Sequence, residues 1–173
     1  RGGVGLVRMS GPRALTIGRQ LFVGKPDLGS HARRVIYGQV IDDLGRPVDE
    51  ALAWFLAAPS TYTGEDVVEI STHGSGAVLE LVVDRGRGLG AELAQPGEFT
   101  RRAFLNGKMD LLQAEAVADV IQAQSAGSLQ AAYGLLGGAL SQRVGRMRDD
   151  LVDALARLES LLDFSDDVSP TEI

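Results

Sequence analysis

The hydrophobic and polar positions fall into two textures. Up to about residue 106, short β-like runs alternate with helical spacing. GVGLVRM predicts a strand, followed by a helix opened by Ser10-Gly11-Pro12. RRVIYGQVI and EALAWFL flank the turn Asp43-Leu44-Gly45-Arg46 and predict a β-hairpin. DVVEIST predicts another strand, Val78, Leu79, Leu81, Val82 and Val83 a helix, and GAELA a short strand. Interleaved β and α elements predict an α+β fold, a small mixed β-sheet covered by helices.

From Leu111 onward the strand pattern ends. Leu136, Leu140, Val144, Met147, Leu151, Leu155, Leu158 and Leu162 recur three or four residues apart, one apolar stripe of a long helix. Unbroken over roughly 35 residues, such a helix would reach about 50 Å. Its stripe needs a partner face, which the helix from Leu111 to Gln124 supplies only in part; ordinary antiparallel bundle packing accounts for the leucines. Gly134, Gly137, Gly138 and Gly145 weaken its first half and predict a kink there. The change of texture divides the chain into residues 1–106 and 107–173.

The join is the most informative stretch. Pro96 to Asp119, PGEFTRRAFLNGKMDLLQAEAVAD, holds a turn, a helix, a loop with a lysine and a helix start. Asp110 with Gln113 is a capping-box pattern that starts the helix at Leu111 and so holds the Asn106-Gly107-Lys108 loop in place. Lys108 and Lys25 are the only lysines in the chain, so Lys108 is no member of a lysine-rich solvated face.

Composition changes this picture only by exclusion. With 45% hydrophobic and 23% charged residues, the 173-residue chain has the make-up of an ordinary globular protein. It has no cysteine and two histidines, which excludes disulfides, thiolate metal sites and histidine-rich metal sites. No run approaches the roughly 20 apolar residues of a membrane span, and no signal-peptide pattern opens the chain, which therefore reads as cytoplasmic. Starting at Arg1 rather than methionine, and ending in SDDVSPTEI without a closing element, it also reads as a piece of a longer protein. Residues 1–46 carry eight basic and three acidic side chains; the remainder carries nine against twenty. The basic part suits an anionic ligand, whereas the acidic helices argue against a chain-wide nucleic-acid groove.

Three charged residues stand out individually. Glu69 interrupts the apolar run VVEI, where it either solvates on an open sheet face or accepts hydrogen bonds from a polar heterocycle. Arg8 poses the same alternative in GVGLVRMS: it faces water or grips a carboxylate with its planar fork. Lys108 is the third. His73, followed by Gly74-Ser75-Gly76, matches neither a dinucleotide-binding nor a P-loop pattern and is read as a structural residue at a tight strand-to-helix turn. No nucleophile of a recognisable triad accompanies it.

Taken together, GGVGLVRMSGP, GRPVDEALAWFLAAPSTYTGEDVVEISTHG, AQPGEFTRRAFLNGKMDLLQAEAVADVI, GLLGGALSQRV and LLDFSDD resemble the MnmE (TrmE) family of tRNA modification GTPases, in order along nearly the whole chain. The family's opening strand is largely absent, as are its GTPase domain, later helices and cysteine-containing tail; HGSG also departs from its usual HGG-type turn. The resemblance implies a folate-binding and dimerising domain over 1–106 and part of a helical domain over 107–173, with no GTP hydrolysis by these residues. It implies a homodimer that binds a tetrahydrofolate derivative (5-formyl or methylene) as one-carbon donor and works with the flavoprotein MnmG on tRNA. The product is an aminomethyl-type group at carbon 5 of the wobble uridine. GTP, magnesium and potassium would enter only through the absent GTPase domain. The family's folate contacts carry over to Arg8, Glu69 and Lys108. A scaffold that dimerises without a functional ligand site is the alternative.

Overall fold

The computed structural model describes residues 2–163, which divide between Met109 and Asp110 into two compact units. The first contains β1 (Val4–Ser10), α1 (Ala14–Leu21), β2 (Phe22–Gly24), β3 (Ile36–Ile41), β4 (Pro47–Leu56), β5 (Val67–His73), α2 (Gly76–Gly88) and α3 (Glu98–Leu105). Five strands form one sheet in the order β1-β5-β4-β3-β2. The fold is α+β as the pattern predicts, and β3 and β4 form the predicted hairpin.

One expectation is corrected: the sheet is wholly antiparallel rather than mixed. β1 and β2 run in the same direction and are joined through α1, but they end on opposite edges with three strands between them. The crossover therefore creates no parallel pair. GAELA also forms no strand. Gly90 turns to a φ of +95° and the Ala91 N–H donates to the Gly86 carbonyl at 3.0 Å, closing the end of α2 as a Schellman-type cap.

Alternation decides which face becomes core. Ile36 and Val40, Ala51, Ala53 and Phe55, and Val68 and Ile70 point to one side, where they join Ile17 and Leu21 of α1 and Val82 of α2. In α1, Ala14, Ile17 and Leu21 lie on one helical face, and Gly18 permits close approach: a Cβ there would stand 3.0 Å from a Val68 methyl. The opposite sheet face stays open. Leu6, Ser71, Leu52 and Tyr37 follow one another across it as register partners, with Leu6, Leu52 and Tyr37 exposed.

The second unit contains α4 (Leu111–Gln122), α5 (Ala126–Leu136) and α6 (Ala139–Asp163). Asp110 and Gln113 form both halves of the predicted capping box, and a second box links Ser125 and Ser128. The single long helix is corrected: it breaks at Gly137-Gly138, where Gly138 adopts a φ of +80°, and the glycine-rich kink becomes a full interruption. On α6 the stripe from Leu140 through Leu162 is exposed at Val144, Met147, Leu151, Leu155 and Leu158. From Phe164 on, the LLDFSDD and SDDVSPTEI segments lie outside the described residues.

Candidate functional site

Arg8 and Glu69 are direct register partners on β1 and β5, and Trp54 of β4 is Glu69's partner on the other side. Arg8 takes the carboxylate of its two alternatives, through Nε alone and not the full fork, and for Glu69 the structure adds a partner that neither of its alternatives named: the Arg8 Nε–H donates to Glu69 Oε1 in a side-chain ion pair. Burial is unequal. The Glu69 side chain is 11% exposed and that of Arg8 43%. The pair lies on the sheet's open face, because Val68 and Ile70 on either side of Glu69 point into the core. Above Arg8 stands Phe99 of α3, its ring centroid 5.7 Å from the guanidinium carbon, within cation–π reach.

The pair leaves hydrogen-bonding capacity unused. Bonding through Nε and Oε1 leaves Arg8's two terminal amino groups and Glu69 Oε2 without a described partner. An acceptor thus sits beside a planar set of donors, a combination that matches a heterocycle edge carrying both amino and carbonyl functions.

Lys108 is placed by different means. Its Nζ donates to the Pro59 carbonyl at 3.0 Å, so it lies against the loop joining β4 and β5. Gly64 of that loop has a φ of +78°, and a Cβ there would stand 3.3 Å from Lys108 Cδ. Among the described hydrogen bonds and ion pairs Lys108 joins neither Arg8 nor Glu69, so the structure pairs two of the three predicted residues directly and ties the third to the neighbouring loop.

A polar network that the sequence reading did not single out connects these parts. Ser10 at the end of β1 bonds through its hydroxyl to Thr63 and Glu65 of the loop, at 2.7 Å each. Arg102 of α3 donates to Glu65 at 3.2 Å and, through two nitrogens, to Glu98 Oε1 at 3.0 and 2.5 Å. Asn106 donates to the Thr63 carbonyl at 2.7 Å. Hydrogen bonds to Glu98 first and Glu65 second hold the Arg102 pKa above its ordinary value. The Gln95 N–H and then Arg102 hold Glu98 below the usual carboxylate range. Glu98 four residues before Arg102 was the one legible signal.

His73 lies elsewhere on the sheet. Its Nδ1 is 2.7 Å from Asp49 Oδ1 and its N–H donates to Oδ2 at 2.9 Å. The carboxylate raises the His73 pKa. Burial would raise that of Asp49, but the hydrogen bonds from His73 outweigh it and the net shift is downward. Among the described residues no group of acidic or histidine side chains could hold a metal ion, and no helix is long and apolar enough to cross a membrane.

Comparison with known proteins shows the family of the chain. Residues 1–108 match the family described as GTP-binding protein TrmE N-terminus, and residues 111–173 match the MnmE helical domain. The chain belongs to the MnmE family of tRNA modification GTPases. Similar relatives, each named tRNA modification GTPase MnmE, include those of Roseiflexus sp. (strain RS-1), 47% identical over 99% of this chain and 38% of the relative, and of Symbiobacterium thermophilum, 45% identical over 94% of this chain and 36% of the relative. A third, from Synechococcus sp. (strain JA-3-3Ab), is 43% identical over 100% of the chain and 38% of the relative. The chain thus comprises N-terminal and helical MnmE regions and spans under two fifths of these relatives' length.

Proposed function

We propose that this chain is the folate-binding and dimerising part of an MnmE-type enzyme, with Arg8, Glu69 and Lys108 as its ligand contacts. The observation that carries the reading is the Arg8–Glu69 pair, which keeps one carboxylate oxygen and the terminal guanidinium donors available. Glu69 Oε2 would accept hydrogen bonds from the amino and ring N–H groups of a reduced pterin, and Arg8 would donate to its carbonyl. One of the three Lys108 donors serves Pro59 and two remain for the ligand. The folate, as the 5-formyl or methylene form, would supply a one-carbon unit. The chain's own residues bind and orient it.

Homodimerisation through the open sheet face fits the exposed row of Leu6, Leu52 and Tyr37, which adjoins the row bearing the pair. In the whole enzyme the dimer would work in the cytoplasm with the flavoprotein MnmG on carbon 5 of the tRNA wobble uridine. GTP, magnesium and potassium would act through a GTPase domain outside these 173 residues. The same apolar row equally favours the scaffold alternative, in which the pair serves only the sheet. Calorimetric titration of 5-formyltetrahydrofolate into the chain and its Glu69→Ala variant decides between them. Binding that the variant loses supports the folate reading, and a folded dimer that binds none refutes it.

A further inference from the structure

β2 and β4 end, and β3 and β5 begin, at the same end of the sheet, so the loops over 25–35 and 57–66 emerge beside each other. The first carries Lys25, Arg33 and Arg34 against one acid, Asp27, whose carboxylate accepts from two nitrogens of Arg19. All three cations are exposed. Among the described ion pairs none includes Lys25, Arg33, Arg34 or Lys108. The acids of the second loop are turned elsewhere: Glu65 accepts from Ser10 and Arg102, and Asp66 from the Ala58 N–H at 2.9 Å.

The first loop holds its charges in place. Leu28 is buried in the core, the Gly29 N–H donates to Asp27 Oδ2 at 3.0 Å, and the Arg33 N–H donates to the Phe55 carbonyl at 2.7 Å. Arg33 has a φ of +67°, and among the described residues no other non-glycine residue adopts a positive φ. Glycine would sit there without strain, so the position favours a side chain with a task. Arg33 Nη2 donates to the Ser60 carbonyl, and Lys108 Nζ to the carbonyl of Pro59 just before it. Two cations thus stand on consecutive carbonyls, which fix them without neutralising them. Resting on the reading of the chain as part of a tRNA-modifying enzyme, we infer that the loop over 25–35 binds the phosphate backbone of RNA, with Lys25, Arg33 and Arg34 as the phosphate contacts. Guanidinium groups match phosphate geometry, and a group of fixed cations follows a backbone that repeats its charge at every nucleotide. Tyr62 on the second loop is 43% exposed and its hydroxyl is bonded to Thr100 at 2.9 Å, an anchored ring on which an unpaired base can stack. An acidic peptide would use the cations but not the ring. These contacts position RNA without reading its sequence, and through Pro59 and Ser60 they adjoin Lys108 of the proposed ligand site.

The test is fluorescence anisotropy on the full chain with an unmodified tRNA transcript carrying uridine at the wobble position, followed across salt concentrations. Lys25→Gln with Arg34→Gln removes two exposed charges that make no described side-chain bond, and Arg33 stays to hold the loop. This double variant is expected to bind the transcript about tenfold more weakly and to lower the log–log salt slope by about 1.5–2. Arg146→Gln with Arg157→Gln makes the same change of charge on α6 and is expected to leave affinity and slope unchanged. Both double variants should bind 5-formyltetrahydrofolate as the parent does. The inference is overturned if the parent shows no salt-dependent RNA binding, if the two double variants weaken it equally, or if polyglutamate displaces the transcript as well as polyuridylate does. The folate reading fails in a different pattern, when the parent binds no folate whatever its behaviour toward RNA.

Discussion

Replacing Glu69 by Gln separates a ligand-binding carboxylate from a structural one. The substitution keeps the shape of the side chain and an oxygen that can accept from Arg8 Nε, but removes the charge and places an amide donor where ligand donors would point. The stability cost is small, because Arg8 is 43% exposed and solvent screens the pair. We expect about 1 kcal/mol or less, a melting shift of no more than about 4 °C. The binding cost is larger. Hydrogen bonds to a charged acceptor contribute about 1.5–3 kcal/mol against about 1 for neutral ones, and the amide nitrogen that replaces Oε2 cannot accept at all, so about 2 kcal/mol is lost. That is roughly a thirtyfold rise in the dissociation constant for 5-formyltetrahydrofolate. Thermal melts beside calorimetric titrations read both quantities. A variant several kcal/mol less stable, or one whose affinity stays within twofold, would refute the reasoning.

Four further expectations follow from other features. Gly64→Ala forces an alanine to a φ near +78° against Lys108 Cδ, so melts should show a loss of about 1–2 kcal/mol, with weaker folate binding as Lys108 shifts. Asp110→Ala removes one half of the capping box and should cost about 1 kcal/mol, seen in hydrogen exchange as faster loss of the Gln113 amide proton. Between the lowered Asp49 and raised His73 pKa values the two groups attract. The His73 contribution to stability is complete below its unfolded value and lost as pH rises through the folded one; that of Asp49 is present above its unfolded value and lost as pH falls through the folded one. Asp49→Asn should return the His73 titration, followed by NMR, toward the ordinary value of about 6.5. If the proposed dimer forms through the open sheet face, Leu52→Glu should convert it to a folded monomer by light scattering, and a variant that stays dimeric would place the interface elsewhere.

Much of this was legible in the sequence, and the failures have physical causes. Alternation in VVEIST fixed the face of Glu69, but periodicity names a face and not a neighbour. That its partner is Arg8, 61 residues away, depends on the register of β1 on β5, which no local pattern carries. The Asp110–Gln113 box was readable because its partners are three residues apart. The Ser10–Thr63–Glu65–Arg102 network was not, apart from the Glu98–Arg102 spacing, because its members come from three segments joined only by the fold. GAELA has an alternating pattern, but its first N–H after the glycine is consumed by the end of α2. In the long apolar stripe the glycines announced a weakness, and the left-handed backbone of Gly138 made it a break.

The first strand of the chain pairs with the last strand of the sheet. Closing that contact requires the intervening 60 or so residues to be largely in place, since β5 meets β1 only across the hairpin and meander that precede it. A chain synthesised only as far as β4 therefore has Arg8 without Glu69, and a full chain whose β1 is not yet paired with β5 has both residues without the pair. On the proposed function, ligand recognition by this site would report that the sheet is complete, and a bound ligand would fasten the edge strand to its neighbour where fraying otherwise begins.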